Sequence, residues 1–403
     1  MSQTYRARTP TEFERLSEQH GDLHLLAQLE KPELTQPASR WTLRHLLGYR
    51  LLTLPERPFL DILSVEHERC PVCHPAGPRA LDLDHYWAQV LMVTPPNLYD
   101  ATDSDLLRLP GGFFWVALAR ASRGDEPLNP RLHPRRQRRP PPRDAYIDST
   151  SAIVGSSSPT QPSVSDFEPD WDDIDEDEYE ARRSKPEDVT VHLLLSFLQF
   201  ALNLCLLQDP NGSGEARPRI ERQASTARIA GQADITAEDD GGICWMVRED
   251  LGWTTRNPYI ALLEAKKAFK SMQIEQRTGR PVPRVSNETL AQYLGEALVA
   301  WRANRGVLKQ DVFLVVGTST FVRFINFKFS AEYEEYLDAE SEAAQNSVVD
   351  RGDGNVFVQM HSTKWFSLQS PDGRKAALCH VLALIRSQAK QDALQTSRSL
   401  LFK

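Results

Sequence analysis

Residues 258–269 read "PYIALLEAKKAF". Tyr259, Ile260, Leu262 and Leu263 form an apolar run of strand length that ends in Glu264 and Lys266, with one small residue between the two charges. Residues i and i+2 of a strand share a face, so these charges project side by side from the rim of a core. Two chemistries suit that arrangement. One is a strand-end ion pair contributing about 0–1 kcal/mol. The other is half of a metal-dependent site, where a carboxylate holds a hard cation and an ammonium meets developing negative charge.

The preceding residues offer a second acid. Pairing "ICWMV" (243–247) antiparallel with 259–264 places Val247 near Tyr259 and Ile243 near Leu263. The stretch "EDDGG" then lies beside Glu264, making Asp240 (or Asp239) the candidate partner. Asp234 competes from a strand expected over 224–236, "ASTARIAGQADIT", one strand further off in a meander. After an irregular basic stretch comes a helix at 286–304, "SNETLAQYLGEALVAWRAN", in which Glu288, Gln292 and Glu296 recur every four residues on one face. Leu290, Leu294, Leu298 and Trp301 make its apolar side. Packed over the sheet, Gln292 is placed to hold the lysine or a metal's water. Between strand and helix, Lys267, Lys270, Arg277, Arg280 and Arg284 suit phosphate contacts as well as they suit a solvated loop.

The remaining elements extend this pattern. A helix over 187–208 precedes the strands, and strands at 311–318, 321–329 and 355–360 follow, with a last helix near 373–390. The helix carries "VHLLLSFLQFALNLCLL" (191–207), broken by His192, Ser196, Gln199 and Asn203. It reads as a buried helix, with His192 a core or rim residue, because a membrane span needs roughly 20 apolar residues.

Helix, strand, "DDGG" strand, "LLEAKKAF", "Q…GEAL" helix and further strands together resemble the PD-(D/E)XK nuclease-like superfamily, more narrowly its fungal members. The closing "FVQMHSTKWFSL…GR…ALCHVLALI" is also similar to the end of those domains. The resemblance covers roughly residues 186–390. It implies an α/β fold with a restriction-endonuclease-like αβββαβ core sheet flanked by helices. It also implies Mg²⁺ or Mn²⁺ held by Glu264 with Asp240 or Asp234, Lys266 positioning the nucleophile and Gln292 as the family's glutamine. Glu187 matches an acidic residue that some members place at the start of the first helix. No proline precedes either aspartate, and some members of the superfamily bind without cutting. The expected function is therefore phosphodiester hydrolysis of DNA or RNA, or else an inactive nucleic-acid-binding or regulatory module on the same fold.

Outside that region the chain changes character. Residues 1–123 show short helical patterns, with Thr11 and Glu14 spaced as a capping box, and are expected to form a smaller, mostly helical N-terminal region. Residues 124–185 are rich in proline, serine and charge and are expected to be a disordered linker ahead of the nuclease-like domain at 186–403. The chain's net charge is −8, yet residues 166–180 alone hold ten acids and no base. Bulk charge therefore excludes no partner, and the acidic block offers a contact for protein partners. The basic run at 131–143 suits either nuclear import or loose pairing with that block.

The other candidate site is "HERCPVCHPAGPRALDLDHYW" (67–87). His67, Cys70, Cys73 and His74 have spacing compatible with Zn²⁺, and Asp84–His85 resembles the metal-binding histidine of HNH nucleases. Packing of the cysteines in a small core is the plain alternative. Five cysteines spread over 403 residues suit a reducing compartment. The N-terminus lacks the apolar stretch of a signal peptide, so an intracellular protein, nuclear or cytoplasmic and without a membrane span, is expected.

Overall fold

The structure is a computed structural model that describes residues 4–68, 70, 72–73, 83–123, 186–205, 214–231, 233–267, 272–274, 281–351 and 356–401. The linker expected at 124–185 lies outside them. The first segment forms α1 (Pro10–Gln19), α2 (Lys31–Leu34), α3 (Leu43–Gly48), β1 (Leu51–Thr53), α4 (Ser64–His67), α5 (Leu83–Met92), α6 (Asp103–Leu107) and α7 (Gly112–Ser122). Then come α8 (Glu187–Asn203), β2 (Gly214–Arg219), β3 (Ala224–Ile229), β4 (Ala233–Glu238), β5 (Gly242–Glu249), β6 (Gly252–Lys266), β7 (Met272–Ile274) and β8 (Pro281–Pro283). The chain closes with α9 (Asn287–Ala303), β9 (Asp311–Thr318), β10 (Phe321–Lys328), α10 (Ala331–Asp338), α11 (Glu342–Arg351), β11 (Val358–Ser362), β12 (Phe366–Ser367) and α12 (Pro371–Leu401).

The main sheet is mixed, in the order β1-β11-β10-β9-β6-β5-β2, with β12 paired to β10. β2, β5 and β6 run as antiparallel neighbours. The chain then crosses through α9 to β9, which lies parallel to β6 with Glu264 opposite Val316. Alternation along β6 and β9 sorts side chains between two cores. Leu262, Leu314 and Val316 face α9, whereas Leu263 and Val315 face α8 and α12. Glu264 and Lys266 follow Leu262 at intervals of two and so lie on the α9 side.

The N-terminal segment is not a separate body. The described residues of 1–122 and 185–403 belong to one packed unit. β1 extends the sheet by parallel pairing with β11, Leu51 opposite Val358. Tyr5, Leu25, Leu46 and Leu47 share a core with Leu294 and Leu298 of α9, while Phe114 and Trp115 of α7 join Phe197 and Phe200 of α8 on the other face. The apolar faces of these short helices are too small to be buried among themselves, so the sheet's two faces provide the burial. The cap of α1 also differs from the Thr11–Glu14 box: Thr9 is the N-cap and accepts from Glu12 N.

Two further corrections bear on the site. The single strand expected over 224–236 is a hairpin, β3 and β4, outside the main sheet. Ala230 at φ 50° and Gly231 at φ 65° turn the chain back on itself. The first strand of the meander is instead β2, "GEARPR". The register of β5 against β6 also differs: Ile243 pairs with Ala261 and Val247 with Thr254, with irregular register around Trp245.

Candidate active site

Despite the shifted register, Asp240 sits beside Glu264. Its backbone N–H donates to Leu263 O at 2.9 Å and Leu263 N–H donates to Gly241 O at 2.9 Å, so pairing continues past the start of β5. The Asp240 Oδ2 accepts from the Ala265 N–H at 3.0 Å. Gly241 permits this turn: it has φ +128°, and a Cβ there would fall 2.6 Å from Arg219 O. The neighbouring Asp239 has another task. It forms a bidentate pair with Arg219 at 2.9 and 2.7 Å and accepts from Gln223 N and Gly241 N. Asp239 is therefore a buried clamp on the turn and leaves Asp240 to face Glu264. Asp234 is excluded from the site, since it is exposed on the β3–β4 hairpin and pairs with Arg228 at 3.4 Å.

Glu264 is 2% exposed. Its Oε1 accepts from the Lys266 ammonium and, at 2.7 Å, from Gln292 Nε2. The Gln292 amide also donates to Glu296 Oε1 at 2.8 Å, bridging the two carboxylates from α9. Ser286 caps that helix, its hydroxyl accepting from Thr289 N at 3.1 Å, which fixes where Gln292 and Glu296 stand over the sheet. Among the described residues, Glu296 Oε2 is buried with no hydrogen-bond partner. At the opposite corner Arg222 pairs with Asp240 at 3.2 Å and with Asp188 at 3.7 Å. Glu187, in the first turn of α8, lies close enough to interact with Lys266 and Asp240.

Four acids thus lie near two cations, with Asp240, Glu264 and Glu296 buried, Glu187 and Lys266 half-buried and Arg222 exposed. Burial raises Glu264 to about 8; Lys266 opposes the shift, while Asp240 and Glu187 reinforce it. Glu296 is pushed well above the usual carboxylate range by burial and by the charge of Glu264. Burial raises Glu187 as well, with Asp240 adding to the shift against Lys266. Burial works against the Lys266 charge, but Glu264, Glu296 and Glu187 outweigh it and hold the ammonium protonated. The set offers hard oxygen donors, and one carboxylate oxygen of Glu296 is left without a partner among the described residues.

A cleft of about 800 Å³ lies next to this cluster. Arg6, Arg8, Arg284, Arg323 and Lys364 line it against one acid, Glu56. Tyr293, which follows Gln292, forms part of its wall and interacts with the charges of Lys266 and Glu264. Of the expected basic loop, Arg284 lines the cleft and Lys267 is exposed; Lys270, Arg277 and Arg280 lie outside the described residues.

Sequence reasoning overlooked Arg222 and gave Glu296 no role, although its four-residue spacing from Gln292 was visible. The N-terminal candidates separate: His67, Cys70 and Cys73 cluster with Cys379 away from Glu264. His74 and the side chains of Asp84 and His85 lie outside the described residues. His192 is exposed on α8 and does not enter the core, and no helix among the described residues is long and apolar enough to cross a membrane. No family model and no curated protein matches the chain, so a functional reading rests on this geometry.

Proposed function

We propose that the protein is a Mg²⁺- or Mn²⁺-dependent nuclease of the PD-(D/E)XK type, acting on DNA or RNA. The observation that carries this reading is the meeting of Asp240, Glu264 and Lys266 at the rim of the sheet, under Gln292 of the following helix. The order helix, three antiparallel strands, helix and a strand parallel to the third supports it, as the order expected of a restriction-endonuclease-like αβββαβ core.

Asp240 and Glu264 would hold the ion, with Glu296 and Glu187 within electrostatic reach of the pair. A bound divalent cation supplies Lewis-acid chemistry, drawing charge from the phosphoryl oxygens. Lys266 keeps its charge in a buried setting, where an ammonium stabilises developing negative charge more strongly than in water. Gln292 holds Glu264 and Glu296 at a fixed separation, so little reorganisation is needed. The basic cleft beside Tyr293 binds the phosphate backbone and brings a phosphodiester to the site without reading sequence. Full-length protein incubated with single- and double-stranded DNA and RNA, with and without Mn²⁺, tests the reading. Metal-dependent cleavage is expected, and Lys266→Ala should lower it about 10²–10³-fold. Equal cleavage by the two proteins refutes the assignment.

One observation favours a second reading. Asp240 and Glu264 are already paired with Arg222 and Lys266 and are almost fully buried, as suits a nucleic-acid-binding module that has lost the reaction. That module predicts nucleic-acid affinity without cutting and no Mn²⁺ binding that depends on Glu264.

A further inference from the structure

On the face of the sheet opposite Glu264, three thiols and an imidazole converge. His67 ends α4, Cys70 and Cys73 lie in the turn after it, and Cys379 comes from α12, more than 300 residues away. Their ligand atoms all lie within 4.8 Å of one another. The Sγ of Cys379 is 3.5 Å from that of Cys70 and 3.3 Å from that of Cys73. A disulfide needs about 2.05 Å, and the cysteines are free. A tetrahedral zinc with bonds of about 2.3 Å sets sulfurs about 3.8 Å apart, so small outward shifts of the thiols would admit an ion.

We propose that His67, Cys70, Cys73 and Cys379 form a structural Zn²⁺ site that pins the turn after α4 to α12. Cys70 N–H donates to His67 O at 2.9 Å and closes the turn after α4, and the backbone N–H groups of Val72 and Cys73 interact with the Cys70 sulfur. Such N–H···S contacts spread the charge of a ligating thiolate. Arg386, two turns along α12 from Cys379, adds a positive charge felt by Cys70, which offsets the net negative charge of a Cys₃His zinc centre. Phe59 is stacked between the rings of His67, at 4.1 Å, and His380, at 3.9 Å. That sandwich fixes the plane of the His67 ring.

Four protein ligands leave no coordination position for a substrate, and Cys70 and Cys379 are buried. The site is therefore a structural clasp and not a second catalytic centre. It joins a segment near the N-terminus to the last helix. Its chemistry is independent of the carboxylate cluster, because thiolates prefer zinc and the carboxylates prefer a hard cation.

The test is elemental analysis of the full-length protein, purified under reducing conditions without chelator. About one zinc per chain is expected. Cys379→Ser and Cys73→Ser should lose it, while Glu264→Gln should keep it. Co²⁺ exchanged into the wild type should show thiolate-to-cobalt charge transfer and tetrahedral d–d bands. His67→Cys should retain the ion with those bands moved to lower energy, a readout that does not depend on whether the serine variants fold. Folded wild type without zinc, zinc retained in full by Cys379→Ser, or a non-reduced mass lighter by two hydrogens, which marks a disulfide, overturns the proposal.

Discussion

The affinity of the carboxylate cluster for a divalent cation should depend steeply on pH, because Glu264 must give up a proton to bind it. Burial holds this carboxyl at about 8, against the pull of Lys266. For a single proton in competition with the metal, the apparent affinity is reduced by a factor of one plus ten to the power pKa minus pH. That factor is about 100 at pH 6, about 11 at pH 7 and about 2 at pH 8. Mn²⁺ binding should therefore tighten about 50-fold from pH 6 to pH 8, equivalent to about 2.3 kcal/mol. Isothermal titration calorimetry at the three pH values, each in two buffers of different ionisation enthalpy, reads both the affinity and the protons released. Release at pH 7 should approach about one proton per ion. Glu264→Gln has no such proton and should bind weakly, releasing fewer protons per ion than the wild type. A wild-type affinity that is flat from pH 6 to pH 8, or a Glu264→Gln protein that binds Mn²⁺ as the wild type does, refutes the assignment of Glu264 as the ligand.

Two substitutions separate the three aspartates. Asp239→Ala leaves Arg219, itself 4% exposed, without its bidentate partner and should destabilise the fold by about 3–5 kcal/mol in urea denaturation; a loss under about 1 kcal/mol would show that the clamp is not structural. Asp234→Asn removes only an exposed pair with Arg228, so stability should change by no more than about 0.5 kcal/mol and Mn²⁺ affinity not at all; a clear loss of metal binding would return Asp234 to the site.

The site was more legible than the sheet that carries it, for reasons particular to its residues. β6 announced itself through an apolar run followed by two charges on one face. The pairing drawn for β5 was displaced, yet Asp240 still arrived beside Glu264, because its contacts are to the backbone of Leu263 and Ala265. β2 gave no such signal. "GEARPR" contains glycine, proline and three charges, as an edge strand tolerates, and its place was assigned to 224–236, which turns at Ala230 and Gly231 into a separate hairpin. That substitution made Asp234 look like a contender. The joining of the N-terminal segment to the sheet was hidden for another reason: β1 is three residues long and pairs with β11 over 300 residues later, a distance at which periodicity carries no information. Cys379 was hidden in the same way from Cys70 and Cys73.

The same proton that competes with the metal bears on why the acids are there. A buried group retained for stability alone would be expected to favour the folded state, but burial raises the carboxyl of Glu264, with Asp240 and Glu187 adding to it, and burial and the charge of Glu264 raise that of Glu296. The sign follows from the direction of the shift. Glu264 has a folded value of about 8 above its unfolded value of about 4.3, so between those limits the folded chain holds a proton that the unfolded chain has lost. Metal-free stability should fall as pH rises through that window. Between pH 6 and pH 8 the loss attributable to Glu264 is about 2 kcal/mol, the mirror image of the gain in metal affinity. Chelator-treated wild type and Glu264→Gln, unfolded in urea at pH 6, 7 and 8, should therefore diverge, the variant gaining on the wild type at each step. Mn²⁺ at saturating concentration should abolish that trend in the wild type, because the gain in metal affinity offsets the loss. Parallel curves without metal would mean that Glu264 is already ionised and stabilised by Lys266, leaving an ion pair with no claim on a cation. Diverging curves would mean that the fold bears the cost of an acid that is satisfied only when a divalent cation arrives, as a binding site does and a structural ion pair does not.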